Sequence, residues 1–442
     1  MVESWRRAVV HLSVTAWLIR FGTLAPMRLR LAGLLLAISM PLVAQTSPES
    51  LLMQQSAGTS RSPAAAPMSM LSTSAGSWML HAHALAFLSH IDGSGSRGDK
   101  GTFSTNWFMG SAVRSLGKSA LQLRTMLSLE PATITRRLYP ELFQTGETAF
   151  GKQIIDGQHP HDFFMELAAE YAHRFGDAIG YVYLAPVGDP ALGPVAFPHR
   201  SSAEELPQAT LTHHTLDSTH ISYNVITAGA TWRSLTFEAS AFHGHEPDER
   251  RWNIDGGRID SWAARARFQP TPNIDLQVSH GRLTKPEAVE PGYQDRTTAS
   301  ISYTHGTWST TAAWGRVYKE VHDRNLDGFV GESVVTFFDS QHLTGRVEVV
   351  DKDELFPHPI LTRVPRPPLP VRVFRVRAYT LGYTADVIRG RWGRVGAGAN
   401  FTRYDFPLIL QGFYGESPRT VLVYLRARLG APESHAHHHH GM

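Results

Sequence analysis

Residues 156–164, DGQHPHDFF, place two histidines and two aspartates within one short stretch. Imidazole nitrogen and carboxylate oxygen are the donors that zinc and copper(II) select. Pro160 biases His159 toward an extended backbone. In an extended chain His159 and His161 project to the same side, with Asp156 or Asp162 nearby. Two later connections carry the same donor types. The first holds His199, His213, His214, Asp217 and His220; the second holds His243, His245, Glu246, Asp248 and Glu249. Such connections, gathered at one end of a fold, can assemble a shared zinc or copper site. The competing reading is a set of polar loop ends whose histidines bond to backbone or water, since the chain carries 23 histidines.

A second constellation lies in DRNLDG, where Asp323, Asn325 and Asp327 alternate ahead of Gly328. That is the first half of a calcium loop. The bidentate acid is missing, because Val334 stands at the twelfth position and Glu332 falls two residues early. A turn held by Asp and Asn side chains is therefore expected, with any calcium weak and structural. In LDSTHIS, Asp217, Ser218 and His220 supply the residue types of a hydrolase, but a triad is defined by geometry. The chain has no G-x-S-x-G, Walker loop or H-E-x-x-H, so no enzyme is expected. Met53, Met68 and Met70 offer scattered thioethers, and His435 with the four histidines at 437–440 offers non-specific chelation. Cysteine is absent, which excludes thiolate metal sites, thiol nucleophiles and disulfides.

These residues must be positioned by something, and the rest of the sequence says what. From Met27 two arginines precede an apolar stretch and then small residues up to Ala44, the order of a secretory signal too short to span a bilayer. Residues 1–44 are thus expected to be an N-terminal extension and signal peptide (signal 27–44), and 45–76, rich in Ser, Ala and Pro, a disordered linker. The five arginines and one glutamate of the leader carry the basic excess; without them 37 basic face 38 acidic side chains, which argues against a nucleic-acid partner.

Beyond residue 77 apolar and polar residues alternate in segments near the roughly 10 residues that a tilted membrane-spanning strand needs. Leu121, Leu123, Thr125 and Leu127 share one face, and Gln122, Arg124, Met126 and Ser128 the other. Sixteen such segments are expected between 77–90 and 419–429, the twelfth at 332–340. Connections after even-numbered segments are short. Those after odd-numbered ones are mostly long, including 131–161, 187–218, 246–257, 285–294 and 354–370. A meander with all its short turns at one end gives that order, and a bilayer requires the sheet to close. The expected fold is all-β: a transmembrane antiparallel up-and-down barrel of about 16 strands at 77–430, with short periplasmic turns, long extracellular loops and a His-rich tail at 431–442. Trp78, Trp107, Phe163, Tyr171, Trp232, Trp252, Trp262, Trp308, Trp314 and Tyr404 are expected in the interfacial girdles. Arg124, Glu166, Glu170, Glu238, Arg265, Arg267, Arg346, Glu348, Arg426 and Arg428 are expected inside.

Four phrases, YPELFQTGETAFGKQIIDGQHPHDFFMELA, APVGDPALGPVAFPHR, LDSTHIS and FHGHEPDERRWNIDGGRIDSW, resemble a family of largely uncharacterised bacterial outer-membrane, porin-like β-barrel proteins. The likeness runs from about Trp78 to Leu429. It implies an exported protein in the bacterial outer membrane, surrounded by lipid, and some such relatives carry Met/His-rich N-terminal segments. The function expected from all this is passage or capture of a small polar solute or a metal ion. The alternatives are a non-conducting metal-binding barrel of copper or zinc resistance and, after it, a barrel hydrolase. The pattern assigns no oligomeric state.

Overall fold

The computed structural model describes residues 47–288, 291–357 and 372–432. The expected leader and the histidines of the C-terminal tail lie outside these residues. Period-two alternation folds as it must when one side of a sheet faces lipid and the other faces protein. The first strands are β1 (Trp78–Gly93), β2 (Lys100–Leu116), β3 (Ser119–Leu127), β4 (Phe164–Phe175) and β5 (Ala178–Gly188). Next come β6 (Ser222–Trp232), β7 (Leu235–His243), β8 (Ser261–Thr271), β9 (Ile274–Thr284) and β10 (Tyr293–His305). The ring continues through β11 (Trp308–Lys319), β12 (Arg324–Phe337), β13 (Gln341–Lys352), β14 (Phe374–Gly390), β15 (Gly393–Asp405) and β16 (Arg419–Leu429). Every neighbouring pair is antiparallel, and β16 pairs back on β1 from Thr420 opposite Gly93 to Arg428 opposite Leu85. The result is a closed 16-strand barrel.

Outward positions are apolar and exposed, among them Leu88, Phe108, Val182, Phe237, Val278, Ile301, Val347, Leu381 and Val423. So large an apolar surface has no place in water and defines the band that contacts lipid. Tyr171, Trp232, Trp262 and Trp308 stand on this outer surface as expected. Trp107 and Tyr404 do not: both are inward and buried, at 5% and 7% exposure, so they belong to the interior packing rather than a girdle.

Two sequence expectations are corrected. The twelfth strand begins at Arg324, eight residues before the expected segment, because Asn325 and Asp327 pair directly with Tyr318 and Arg316 across a tight turn. The segment expected to be a disordered linker is folded. Ser47 caps a short helix, Pro48–Met53, whose Leu51 and Leu52 bury against Ala120, Ala172, Ile179 and Tyr181. From there the chain crosses the lumen. Gln55 Nε2 donates to Glu170 Oε1 at 2.8 Å, Gly58 N to Glu166 Oε1 at 3.2 Å, and Arg61 Nη2 to Thr236 Oγ1 at 2.6 Å. Gly58 takes a left-handed φ of 52°, and a Cβ there would collide with the Asp189 carbonyl. The backbone amide of Ala65 then bonds the carbonyl of Pro272 in the β8–β9 turn, which places this plug toward the short-turn end. Polar serine- and proline-rich sequence looks disordered in isolation; here the strand walls supply partners that no local pattern announces.

Candidate metal centre

The segment between β5 and β6 folds inward instead of covering the mouth. Its amides reach the inner wall at Ala191 N to Ser240 Oγ and Gly193 N to Ser279 Oγ, 2.8 and 2.9 Å. Arg200 anchors it, donating to Glu332 Oε1 at 2.6 Å and to Asp217 Oδ2 at 2.8 Å. Beyond this anchor a single helical turn, His213–Leu216, presents two consecutive histidines, and a 3-10 turn, Ser218–His220, follows.

The β3–β4 connection approaches from the other side. Residues Tyr139–Ala149 and Lys152–Gln158 form a hairpin, and the chain then runs through His159 and His161 into β4. Five imidazoles meet where the two segments touch. Ring centroids of His161 and His220 lie 5.2 Å apart, His220 and His213 5.2 Å, His213 and His214 5.2 Å, and His159 and His214 6.1 Å. Within this cluster one donor atom each from His159, His213 and His214 comes within 4.8 Å of the other two. That is the spacing of a site able to close on an ion.

The protonation of the ring nitrogens follows from their partners. The Nδ1 of His159 lies 3.1 Å from the Pro160 carbonyl, which only accepts, so Nδ1 carries the proton. Burial opposes the ionisation of Asp217, but the Arg200 guanidinium outweighs it and, with His213, holds the carboxyl down to about 2. An ionised Asp217 must accept, so His213 Nδ1, 2.7 Å away, also carries its proton. Both Nε2 atoms are left with lone pairs, the metal-binding form of histidine, and Nδ1–H to a carbonyl or carboxylate fixes each ring, with Glu147 Oε1 standing 3.1 Å from the Nε2 of His159. Burial first, then the nearby Arg251 and the neighbouring imidazoles, holds His159 well below the ordinary histidine range. His220 is held down in the same way, by burial first and then by His161 and His213.

Several sequence candidates fall outside the donor set. Asp162 is taken by Tyr223 at 2.7 Å and by Arg251 at 3.1 Å. Asp217 is a positioning residue, filled by Arg200, His213 and the Phe197 amide. His161 and His220 border the site; His220 Nδ1 bonds the Asp217 carbonyl, and His161 Nδ1 lies 3.0 Å from Glu130. His243 bonds the Arg258 carbonyl and His245 the Glu246 carbonyl, and neither has a ligand atom in the donor groups found among the described residues. Their loop contributes Glu246 instead, which with His214 and Glu287 forms a second set of donors within 4.8 Å. Glu287 could not be found by motif, since its proline-containing loop holds one other carboxylate, Glu290, and no histidine.

The calcium candidate is not assembled. Asp327 accepts both arms of Arg316 at 2.9 Å and the Trp314 indole at 3.0 Å, while Tyr318 OH donates to Asp323 at 2.9 Å. Strand pairing directs these groups to cross-strand partners rather than to a common point. Nor does Asp217–Ser218–His220 form a triad, because Ser218 Oγ donates to Glu246 at 3.0 Å and receives Arg296 at 2.5 Å.

A closed antiparallel ring with an apolar outside and a polar, charged inside defines a porin-like transmembrane β-barrel of the bacterial outer membrane. No protein-family model and no curated protein matches the sequence. Solved structures of similar outline include OmpF of Salmonella typhi in complex with daunomycin, at 9% identity and a TM-score of 0.49 over 81% of this chain and 100% of that one. An anion-selective porin from Comamonas acidovorans is similar at 11% identity and a TM-score of 0.47, over 80% and 99%. The outer-membrane protein OmpT of Vibrio cholerae, as expressed in the outer membrane, is similar at 8% identity and a TM-score of 0.46, over 81% and 100%.

Proposed function

We propose that this barrel captures a divalent transition-metal ion, zinc or copper(II), in a lumen closed at rest by its own segments. The observation that carries the reading is the convergence of His159, His213 and His214, two of them with Nδ1 bonded so that Nε2 carries a lone pair. Imidazole donors in a buried setting favour borderline ions over magnesium or calcium. Capture is favoured over free passage because the plug and the inward segment occupy the interior. Gln55, Gly58, Arg61, Arg200 and Gln208 all bond groups of the barrel wall. Zinc and copper(II) titrations of the detergent-purified barrel test the site. His159→Ala and His213→Ala are each expected to weaken binding by at least 10-fold, and unchanged affinity in both removes the proposal. Single-channel recording tests closure; a steady open conductance without metal would restore porin-like passage of small polar solutes as the better reading.

A further inference from the structure

His214 belongs to two ligand sets at once. One contains His159 and His213; the other contains Glu246 and Glu287. Within each set the donor atoms lie within 4.8 Å of one another, but the five residues do not form one such group. A single ion with zinc–nitrogen and zinc–oxygen bonds of about 2.0–2.2 Å cannot draw on all five without rearrangement. The donors define two neighbouring positions with one residue in common.

The shared residue is suited to serve both. Imidazole has two nitrogens on different edges of the ring, and neither nitrogen of His214 has a hydrogen-bond partner. Its Nδ1 lies 3.6 Å from Glu246 Oε1, facing the second set. Across its other edge stands Gly146, at φ 121°, where a Cβ would sit 2.2 Å from Nε2. A residue with a side chain would fill that edge; glycine leaves it clear. Glu246 is 6% exposed, and its Oε1 already receives Ser218 at 3.0 Å and Arg296 at 3.5 Å. Its Oε2 is buried with no hydrogen-bond partner. Glu287, 5% exposed, accepts from Gln294 Nε2 at 3.1 Å through Oε1. Orienting contacts of this kind are what ligating carboxylates receive from their surroundings.

We infer that the centre holds two divalent ions, one at His159, His213 and His214 and one at His214, Glu246 and Glu287, with the His214 ring between them as imidazolate, its N–H proton passing to solvent when the second ion binds. The inference rests on the capture reading and adds a second, more oxygen-rich position to it. The first position is all nitrogen and suits copper(II) or zinc. The second, with two carboxylates, suits zinc and accepts harder ions such as manganese.

Calorimetric titration of the full-length barrel in detergent with zinc reads the stoichiometry. A chain carrying His159→Ala, His213→Ala and Glu287→Gln together gives the background taken by the C-terminal histidines. Above that background wild type is expected to bind two ions, Glu287→Gln one, and His159→Ala one. Retained β-sheet circular dichroism shows that each variant is folded. Copper(II) supplies the second readout: two ions joined through one imidazolate are exchange-coupled, so the electron paramagnetic resonance signal of the loaded wild type is reduced and returns in Glu287→Gln. One ion above background, indifferent to Glu287→Gln, overturns the second position and leaves the capture reading intact. Two uncoupled copper ions overturn the role of His214. No ion above background overturns both readings together.

Discussion

The interior of this barrel carries two kinds of buried polar group, and they are treated differently. Along the walls buried arginines and carboxylates meet in ion pairs. Arg265 lies opposite Glu238 on adjacent strands at 2.8 Å, Arg124 meets Glu166 at 2.9 Å, and Glu332 holds Arg200 and Arg346 at 2.6 and 3.0 Å. Arg426 is bound by both Glu205 and Asp386. In the histidine cluster the opposite holds. Nε2 of His161 and of His220, both nitrogens of His214 and the Oε2 of Glu246 are buried without hydrogen-bond partners. A desolvated polar group left unmade costs roughly 1–3 kcal/mol. The contrast separates ion-paired groups that build the barrel from histidine and carboxylate atoms that, on the capture reading, are left for a ligand.

Substituting a member of each class should break different things. Glu332→Ala leaves the buried Arg346 guanidinium without a carboxylate and Arg200 with Asp217 alone, and should destabilise the barrel by about 3–5 kcal/mol, the scale of removing one partner from a buried pair. Unfolding by urea in detergent should register it as a large fall in midpoint with or without metal. An unchanged midpoint would mean that the wall pairs are not structural. Asp217→Asn is the intermediate case, because Asp217 serves both Arg200 and His213. Orienting partners of metal-bound histidines typically contribute 10–100-fold in affinity, so zinc binding should fall by about that factor. The drop in stability should be smaller than that of Glu332→Ala.

How much of this was legible in the sequence follows the same division. Period-two alternation located all sixteen strands, and the inward arginines and glutamates, because lipid on one side enforces one character per face. Three of the nine proposed loop ligands, His159, His213 and His214, converge; they do so because the β5–β6 segment turns inward, and nothing in its own residues states that direction. Asp162 and Asp217 have the right chemistry and are already occupied by Arg251 and Arg200, partners distant in sequence. Glu287 was invisible for the converse reason: a single carboxylate gains meaning only from what folds against it. The plug at 47–67 was misjudged because its order comes wholly from the wall, as the contacts of Gln55 and Arg61 show.

Acidification should distinguish the two classes without mutation. Burial, reinforced by the neighbouring His83 and His161, holds His199 well below the ordinary histidine value. In the unfolded chain the ring protonates below about pH 6.5, while in the folded chain it stays neutral to lower pH. The unfolded state therefore binds the extra proton. Stability is fully present above about pH 6.5 and is lost as pH falls toward the folded value, by at most about 1.4 kcal/mol per pH unit for one group. Urea midpoints measured from pH 7.5 to 5 should decline accordingly. His199→Phe, which keeps a ring against Trp107, should flatten part of that slope. An unchanged slope would assign the acid sensitivity to other groups.

The smallest effect should come from an ion pair on the outer side of the sheet. Arg316 and Asp327 make a two-armed contact at 2.9 Å that resembles the buried pairs in geometry, yet the arginine is 47% exposed. Solvent and salt screen such a pair, and ordering two mobile side chains offsets what attraction remains. Asp327→Ala should therefore leave the urea midpoint unmoved. If the DRNLDG stretch held calcium, the same substitution would abolish a calcium-dependent rise in stability; with Asp327 engaged by Arg316 and Trp314, wild type and variant should both be indifferent to calcium. A calcium-dependent shift in wild type alone would show that an exposed cross-strand pair can give way to an ion. It would also move Asp327 out of the satisfied class and into the class of the histidines.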